Sequence, residues 1–600
     1  MSRETFTYEP LQPRQIRVLE IEPSTDPSSP ISCICTHISL EDSSHPSYIT
    51  VSYTWGSEEK PYQLVVNGCL LPITQNVHDI FRSKLMTSSR SPLWIDAVCI
   101  NQGDIDEKAL QVGMMGEVYS HAKCVRVWLG PEAEDSKLAM SFTKMAASIL
   151  PEIESGDVER IGYYAAKYPE EAPEWAALAK LLDRPWFTRT WVIQEVALAR
   201  QAEILCGDDS MSWDTLSQVI NSFTALGFNG MIVASPDMHL LNIRGVTGQE
   251  RVYKLSSVRA YRQQGKPLPL FTLMVLFSHS KTIDLRDKVY GLLGVATDVD
   301  DPVLAPDYTK LPVTLFTEVT RFMIKRESRL GFLRWAGVED ESEAVDVPSS
   351  MPSWAFKFAD KIRPRCLGNY PVMPATKSEI YFPEGGDELV SKGIIFDSIV
   401  RLGSTSAIVG DGHLPGRGEI ANIYTWYLEA KEIFKSTGIQ DDQVFWRTIM
   451  GNKIDDENVQ LDQPEEAPGP EYGEFCKSFE RIAGQFEILH ATDTAAANQL
   501  FLSEDGAKAL KFRQALTSAI STRHFCVLKR GSVGLVPEES RAGDLIVAFV
   551  GALVLFVIRA LSVDEGGAQK YQLVGECYVH GSMNGQVMEF GRDIQDIALV

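Results

Sequence analysis

The sequence predicts an α/β protein that begins with a parallel sheet flanked by helices, continues as a mostly helical region and ends in a strand-rich α+β region. Three observations predict this fold class. Apolar or β-branched runs alternate with helical periodicity over the first 200 residues. Helical periodicity then dominates as far as about residue 370. Between about 520 and 590, four strand-like runs are separated by turns that contain glycine.

The strand patterns of the first 200 residues end in turns or loops. A β-branched run occupies 48–53, and residues 64–73 are interpreted as a hairpin that turns at Asn67-Gly68. The apolar run at 93–100 is predicted to be one strand that is covered on both faces, as is usual in parallel sheets.

Helical patterns lie between and after these strands. Residues 106–121 are expected to form a helix with Leu110 on its buried face, and the next strand is expected at 125–129. The helical stretch at 136–182 is interpreted as an insertion before the segment around Trp191.

The length of the chain, 600 residues, exceeds what one core can hold. We expect three domains, at 1–200, 201–370 and 371–600. An acidic, proline-rich stretch at 455–473 is predicted to be a linker. The apolar run at 545–558 is too short to span a membrane, and it is interpreted as two buried strands divided by Gly551.

The net charge and the cysteine pattern indicate which partners and which cellular compartment to expect. A formal net charge of −23, without a strong Lys/Arg cluster, argues against a nucleic-acid partner. The N-terminus lacks the basic start and apolar run of a secretory signal, so a cytoplasmic location is expected. Scattered cysteines without a C-x-x-C pair fit a reducing compartment. Cys33, Cys35 and His37 alternate along one strand, which packing explains, so no metal site is expected.

The most informative stretch is Trp-Val-Ile-Gln-Glu at 191–195. It sets the Glu195 carboxylate one helical turn beyond the Trp191 indole, so both are expected on one helix face. Arg184 and Arg189 precede them. A carboxylate held against an indole and flanked by arginines has the composition of a charge-tuned catalytic acid. The structural alternative is that Trp186, Phe187 and Trp191 belong to the core and that Glu195 pairs with an arginine.

Two more blocks stand upstream in a fixed order. They are Ser-Tyr-Thr-Trp-Gly at 52–56 and Leu-Trp-Ile-Asp-Ala-Val-Cys-Ile-Asn-Gln at 93–102. With Arg-Thr-Trp-Val-Ile-Gln-Glu at 189–195, they closely resemble the HET domain of fungal heterokaryon-incompatibility proteins. The likeness continues at 73–76, 111–115 and 122–130, and segments found in many long HET-domain proteins are similar to 286–294 and 575–581.

The resemblance implies that 1–200 form a HET domain, with its core at 45–200. It also implies a fungal, cytoplasmic protein that triggers cell death when genetically different hyphae fuse, a form of allorecognition. HET domains are in turn similar to the toll/interleukin-1-receptor (TIR) fold, a flavodoxin-like parallel sheet. The strand ending in Tyr53 resembles the first TIR strand, and Trp-Ile-Asp at 94–96 resembles the second. The segment with Glu195 resembles the helix that bears the glutamate of TIR-type NAD hydrolases.

On that resemblance, Glu195 is the catalytic candidate for cleaving NAD at the nicotinamide–ribose bond. Such a reaction passes through an oxocarbenium-like state, which a carboxylate near the ribose stabilises. Tyr53 and Trp55 follow the first parallel strand, at the edge where open α/β sheets bind ligands. They are candidates to stack on nicotinamide or adenine, and core packing is the alternative.

The remaining substrate-binding candidates are Asp96, Arg184, Arg189 and Trp191. Asp96 either hydrogen-bonds ribose and orients Glu195, or caps its own loop. The two arginines either bind the pyrophosphate of NAD or neutralise nearby carboxylates. NAD or a related nucleotide is the expected substrate, no bound cofactor is expected, and activation is expected from self-assembly or another incompatibility protein. The alternative function is a signalling scaffold without enzymatic activity.

Overall fold

Nine strands form a mixed sheet in the first half of the chain. In the computed structural model these strands are β1 (Gln15–Ile21), β2 (Ile31–Ser39), β3 (Ile49–Tyr53), β4 (Tyr62–Val66), β5 (Cys69–Ile73), β6 (Leu93–Trp94), β7 (Cys124–Trp128), β8 (Ala202–Cys206) and β9 (Asp209–Ser212). Their order across the sheet is β5-β4-β2-β1-β6-β3-β7-β8-β9.

Four neighbouring strands, β6, β3, β7 and β8, are parallel to one another. Numbered by their sequence order, they follow 2-1-3-4, which is the beginning of the flavodoxin-like order. Antiparallel pairs extend this core, because β1 pairs with β6 and β9 pairs with β8. Every residue of β3 is buried, as expected for a central strand that is covered on both faces. The predicted α/β class is confirmed.

The structure confirms the predicted hairpin at 64–73 and corrects the strand predicted at 93–100. The hairpin between β4 and β5 turns at Asn67 and Gly68, both with positive φ, as predicted. The apolar run at 93–100 was predicted to be one strand, but the strand ends at Trp94 and a short helix begins at Asp96. The Asp96 carboxylate accepts a hydrogen bond from the backbone N–H of Ala97, which stabilises this first turn.

Twelve helices are described in the same half of the chain. They are α1 (Gln75–Arg82), α2 (Lys84–Thr87), α3 (Asp96–Cys99), α4 (Ile105–His121), α5 (Ser136–Glu154), α6 (Val158–Lys167), α7 (Pro173–Leu182), α8 (Val192–Ala197), α9 (Trp213–Ala225), α10 (Gly248–Gln263), α11 (Leu270–Leu276) and α12 (Asp287–Leu293). Asp104 caps α4 by accepting from the N–H groups of Asp106 and Glu107. The burial predicted for Leu110 is wrong, since its side chain is 71 % exposed and the buried face of α4 includes Val112 and Met115 instead.

The stretch at 136–182 forms the helices α5, α6 and α7. Phe142 of α5 packs against Trp175 of α7, with ring centroids 5.0 Å apart, and also against Phe223 of α9 at 6.3 Å. Aromatic burial therefore joins the inserted helices to α9.

The second half of the chain builds a separate, mostly antiparallel sheet. Its strands are β10 (Ile380–Tyr381), β11 (Leu389–Thr405), β12 (Arg523–Leu528), β13 (Val533–Pro537), β14 (Leu545–Phe549), β15 (Leu555–Ala560), β16 (Lys570–Val579) and β17 (Gln595–Leu599). Its helices are α13 (Pro312–Glu327), α14 (Arg417–Ser436), α15 (Asp442–Ile449), α16 (Glu471–His490) and α17 (Glu504–Ile520). The run at 545–558 forms two buried strands on either side of Gly551, as predicted.

Six of these strands close into a ring. The pairs run from β11 to β12, β13, β16, β15 and β14, and β14 pairs back with β11. Strand β11 is 17 residues long, and register shifts within it let one strand pair on two sides.

A buried ion cluster lies in this half of the chain, within the segment at 575–581. The Glu576 carboxylate accepts from Arg334 Nε at 2.9 Å and from Arg523 Nη2 at 2.8 Å. The backbone N–H of Leu367 donates to the same carboxylate at 2.8 Å. Glu576 is only 4 % exposed, so two cations and a backbone donor compensate its charge in place of water.

The structure describes residues 3–22, 29–42, 45–87, 91–154, 158–169, 172–225, 247–327, 330–338, 351–357, 367–370, 372–373, 377–384, 386–405, 417–453, 467–490, 500–563 and 568–600. It divides into two units, Met1–Lys310 and Leu311–Val600. The predicted division into three domains stays a prediction. Most of the predicted linker at 455–473 lies outside the described residues, and its last three residues belong to α16.

Candidate functional site

The Glu195 side chain lies inside the first unit, close to the carboxyl end of β3. It projects from α8, which follows a 3-10 turn at Pro185–Thr188. Ser52 Oγ donates a hydrogen bond to Glu195 Oε2, and Trp186 Nε1 donates to Ser52 Oγ at 2.8 Å. Glu195 is 2 % exposed, so these groups hold its carboxylate in a closed, dry environment.

Burial raises the pKa of Glu195 from 4.5 to about 7. The Arg189 charge and hydrogen bonds from Ser52 and Tyr119 oppose this shift, whereas the Asp96 carboxylate adds to it. The side chain is thus poised between its charged and neutral forms near neutral pH. A pKa close to the working pH is typical of groups that change charge during a reaction.

Asp96 supplies a second carboxylate at the same edge of the sheet. Its Oδ2 accepts from Trp55 Nε1 at 2.8 Å, and its Oδ1 accepts from the N–H of Ala97 at 2.7 Å. Burial raises the pKa of Asp96, and the Arg189 charge opposes that shift. Asp96 thus caps its own turn, and its charge raises the pKa of Glu195, whereas its expected contact with ribose stays a prediction.

The Tyr53 hydroxyl is buried in the same cluster. Its side chain is only 2 % exposed, and its hydroxyl group interacts with the Asp96 carboxylate. Burial raises the pKa of this hydroxyl well above 10, and the Asp96 charge raises it further. Tyr53 therefore keeps its proton, and Trp55, which is partly exposed, is the more accessible aromatic group of the two.

The two arginines before α8 have different surroundings. Arg189 Nη1 donates to the carbonyl oxygen of Tyr53, and its charge lowers the pKa of both Glu195 and Asp96. Within the described residues it forms no salt bridge as short as 4.0 Å with either carboxylate. Arg184 instead donates to the carbonyl oxygens of Leu129, Pro131 and Ala133 and contacts Cys206 Sγ at 3.1 Å. Its donors fix the loop after β7, so only Arg189 lies beside the carboxylates.

Trp191 begins α8 but forms its hydrogen bond away from the carboxylates. Its Nε1 donates to Asp287 Oδ2 at 3.0 Å, and Tyr308 Oη donates to the other oxygen of Asp287 at 2.7 Å. The indole thus joins α8 to α12, whereas Glu195 bonds to β3. Trp191 and Glu195, which were predicted to share a helix face, therefore form hydrogen bonds with different partners, Asp287 and Ser52.

The glycines of α12 explain the rest of the segment at 286–294. A Cβ at Gly291 would lie 2.9 Å from Thr190 Cγ2, and one at Gly294 would lie 2.9 Å from Gly116 Cα. Both positions need glycine because α12 packs closely on the start of α8 and on α4. The Arg286 guanidinium pairs with Asp284 at 2.7 Å, which fixes the turn into α12. This segment therefore packs against the start of α8, the helix that carries Glu195.

Comparison with known proteins found similarity to fungal incompatibility proteins. Residues 48–195 match the family model described as heterokaryon incompatibility protein (HET), and residues 423–600 match the Het-6 beta-barrel domain. Both matched ranges therefore resemble domains of heterokaryon incompatibility proteins. It is similar to heterokaryon incompatibility protein 6, OR allele, of Neurospora crassa, with 25 % identity over 96 % of this chain and 94 % of the relative. No solved structure matches the chain.

The HET domain contains every member of the carboxylate cluster, and Glu195 is the last residue of the matched range. The segment at 286–294, which packs against the start of α8, lies outside that range. The described residues contain no helix that is long and apolar enough to cross a bilayer. They also contain no group of three or more acidic, histidine or cysteine side chains placed to hold a metal ion.

Three residues of the carboxylate cluster, Ser52, Trp186 and Tyr119, were not predicted from the sequence to belong to the site. Ser52 lies inside the first block at 52–56, and its place at the carboxyl end of β3 was a signal that could have identified it. Trp186 was treated as core, yet its indole N–H also orients Ser52. Tyr119, on α4, gave no signal in the sequence, because only the fold brings it to Glu195.

Proposed function

We propose that this chain is an incompatibility effector whose HET domain cleaves the nicotinamide–ribose bond of NAD, or of a related nucleotide, when assembly opens the closed site. The downstream outcome is cell death after fusion of genetically different hyphae, in the cytoplasm. The observation that carries the proposal is the placement of Glu195. It is a buried carboxyl group with a pKa of about 7, at the sheet edge where α/β proteins bind ligands.

In the proposed reaction the bond between ribose C1′ and the nicotinamide nitrogen breaks, and its electron pair neutralises the ring nitrogen. Water then attacks C1′ and releases a proton, which gives ADP-ribose and nicotinamide. The Glu195 carboxylate would bind the ribose hydroxyls and stabilise the positive charge that develops at the sugar. Nicotinamide leaves as a neutral molecule, so the site needs no strong general acid.

Opening the site also makes Glu195 more reactive. Burial is the main cause of its raised pKa, so admitting water or substrate lowers the pKa and favours the carboxylate. The closed domain therefore holds a less charged, inaccessible glutamate, and the open domain holds a charged one. Assembly would control both access and charge through one movement.

The other candidates take roles that suit their contacts. Trp55 is partly exposed and would stack on nicotinamide or adenine, with Tyr53 behind it. Arg189 would bind the pyrophosphate, since its guanidinium lies beside the carboxylates without a short salt bridge to them in the described part of the chain. The carbonyl groups after β7 occupy Arg184, so we give it no substrate contact.

The test uses the purified full chain, fused to an inducible dimerising tag, and measures nicotinamide release from NAD before and after assembly. We expect release only after assembly, and its loss in Glu195→Gln. Glu59→Gln, at an exposed position of the same domain, is the matched control and should keep the activity. Absence of release after assembly, or equal release from Glu195→Gln, would overturn the enzymatic function.

A second function has its own supporting observation. The Glu195 carboxylate is enclosed by Ser52, Trp186 and Tyr119, which is also what a purely structural glutamate would show. In that case the HET domain would be a signalling scaffold that self-associates or recruits another incompatibility protein. Glu195→Gln would then leave both assembly and the cellular response unchanged, an outcome that the enzymatic function does not allow.

A further inference from the structure

A small cavity lies on the other side of the segment that leads into α8. Residues 187–193 form one wall, α10 forms another, and the end of α11 with the residues after it closes the third. Its volume is about 30 Å³, so it is small. Apolar side chains, among them Phe187, Ile193 and Phe277, supply much of its surface.

The charge of this cavity is opposite to that of the protein. Among the described residues that line it, Arg189, Arg251 and Lys254 are cationic and none is acidic. The chain as a whole carries a formal net charge of −23. Three cations around an apolar cavity give a local positive potential that attracts small anions.

Arg251 is the member of this group whose charge is least compensated. Lys254 pairs with Glu250 at 2.7 Å, but Arg251 forms no hydrogen bond or salt bridge with any described side chain. Burial lowers the pKa of Arg251, and the charges of Asp183 and Glu250 oppose that effect. A partly buried guanidinium that bonds no protein side chain leaves its donors to water or to a ligand with acceptor oxygens.

Another arginine of the same helix provides the contrast. Arg259 also lies on α10, and its Nη1 donates to the carbonyl oxygens of Val196 and Ala199 at the end of α8. Its donors therefore join two helices. Arg251 has no such task, which indicates that its place at the cavity serves binding and not packing.

We propose that this cavity, which we call the Arg251 cavity, binds a small carboxylate that carries a short apolar group. The carboxylate would accept from Arg251 and Lys254 in a charge-assisted pair, as guanidinium groups favour. The apolar part would lie against Phe187, Ile193 and Phe277. The small volume restricts the ligand to a few heavy atoms.

Arg189 connects this cavity to the carboxylate cluster. It lines the cavity and also lowers the pKa of Glu195 and of Asp96. A bound carboxylate would compensate the Arg189 charge, so Glu195 would hold its proton more tightly. If Glu195 acts on NAD as proposed above, the ligand is therefore an inhibitor, and this consequence rests on the proposed function. The binding site itself does not.

The binding test compares propionate with propionamide, a neutral molecule of nearly the same shape, by isothermal titration calorimetry on the full chain. We expect saturable binding of propionate and no binding of propionamide. Arg251→Gln should weaken propionate binding about tenfold or more, since it removes a charged hydrogen-bond donor. Arg262→Gln, on the same helix but outside the cavity lining, is the matched control and should bind as the parent does.

The thermal midpoint of each variant without ligand shows whether it still folds. Arg251→Gln is expected to melt within a few degrees of the parent, because Arg251 forms no hydrogen bond or salt bridge with a described side chain. Lys254→Gln repeats the binding test at a second position. Equal binding of propionate and propionamide, equal binding by Arg251→Gln and Arg262→Gln, or tighter binding of inorganic phosphate than of propionate would overturn the proposed ligand.

The two proposals can fail separately. Inhibition of NAD cleavage by propionate, lost in Arg251→Gln, would support the link through Arg189. If the assembled chain releases no nicotinamide at all, the enzymatic proposal fails while calorimetry still decides the binding site. If cleavage occurs but propionate does not bind, the Arg251 cavity fails alone.

Discussion

Two buried glutamates of this chain show how their surroundings separate a structural carboxylate from a reactive one. Glu576 is 4 % exposed and is bound directly by two guanidinium groups, those of Arg334 and Arg523. Glu195 is 2 % exposed but is held by hydroxyl groups, with Arg189 acting only as a nearby charge. Burial is almost the same at the two positions. The difference lies in how many cations bond to the carboxylate.

This difference sets what each site can do. A carboxylate bound by two cations keeps a fixed geometry, and removing it leaves those cations exposed to a low-dielectric interior. A buried carboxylate that is bound only by hydroxyl groups has a raised pKa, because its charged form is poorly solvated. At Glu195 the pKa rises to about 7. The arrangement at Glu576 therefore stabilises the fold, whereas the arrangement at Glu195 lets the carboxyl group change its charge near neutral pH.

The largest expected effect is at the structural glutamate. Glu576→Gln should reduce the free energy of unfolding by about 3–5 kcal/mol, because it removes the buried carboxylate charge that both Arg334 and Arg523 contact. Urea unfolding of the full chain measures the loss. Glu589→Gln, at an exposed position of the same unit, should change stability by less than about 0.5 kcal/mol. Equal losses in the two variants would contradict the structural role of Glu576.

The same substitution at Glu195 should have the opposite sign. Its pKa is 4.5 as a reference and about 7 in the folded protein, so the folded state holds a proton that the unfolded chain releases. The resulting stability is fully present below about pH 4.5 and is lost as the pH rises through about 7. Glu195→Gln stays neutral, so it should be more stable than the parent above pH 7, by about 3 kcal/mol.

Urea unfolding of the parent and of Glu195→Gln between about pH 4.5 and pH 8.5 measures this difference. Glu59→Gln, in the same domain and exposed, should follow the parent at every pH. A Glu195→Gln variant that is less stable than the parent at high pH would show that Glu195 resembles Glu576 after all, with Arg189 as its direct partner.

A third prediction concerns the attachment of the helix that carries Glu195. Trp191→Phe keeps the ring but removes the hydrogen bond to Asp287, so it should cost about 1–2 kcal/mol. Asp287→Asn in combination tests the pair through a double-mutant cycle, and we expect a coupling energy of about 1 kcal/mol. Trp175→Phe, whose indole bonds backbone carbonyl groups, is the control without coupling to Asp287. Additive effects of Trp191→Phe and Asp287→Asn would contradict the fastening role.

The sequence predicted those parts of the fold that depend on local pattern. The hairpin at Asn67-Gly68 and the strands on either side of Gly551 follow from turn chemistry and apolar runs. Strand β11 was not predicted, because three of its pairing partners, β12, β14 and β17, lie more than 100 residues away along the chain. The exposure of Leu110 could not be predicted either, since the buried face of α4 depends on what packs against it.

The candidate site was predictable to the same degree. Tyr53 and Asp96 meet because the parallel strands β3 and β6 end at one edge of the sheet, and α8 brings Glu195 to the same edge. The partners of Trp191 and Arg184 were not predictable. One is a carboxylate 96 residues further on, and the others are backbone carbonyl groups, which carry no side-chain signal in the sequence.

The smallest expected effect isolates the hydroxyl group that most directly distinguishes Glu195 from Glu576. Ser52→Ala removes a hydrogen bond that favours the charged carboxylate, so the pKa of Glu195 should rise by about one unit. It also leaves the Trp186 indole N–H without its acceptor, which costs about 1 kcal/mol at every pH. Comparing Ser52→Ala with Ser52→Ala/Glu195→Gln cancels that constant loss and leaves the titration of Glu195 alone.

The pH midpoint of the stability difference between these two variants should therefore lie higher than the midpoint between the parent and Glu195→Gln. Ser57→Ala, at an exposed position of the next loop, should leave the midpoint unchanged. If Ser52→Ala leaves it unchanged as well, then the Arg189 charge and not the hydroxyl group holds Glu195 between its two forms. Glu195 would then differ from Glu576 only in the distance of its arginine.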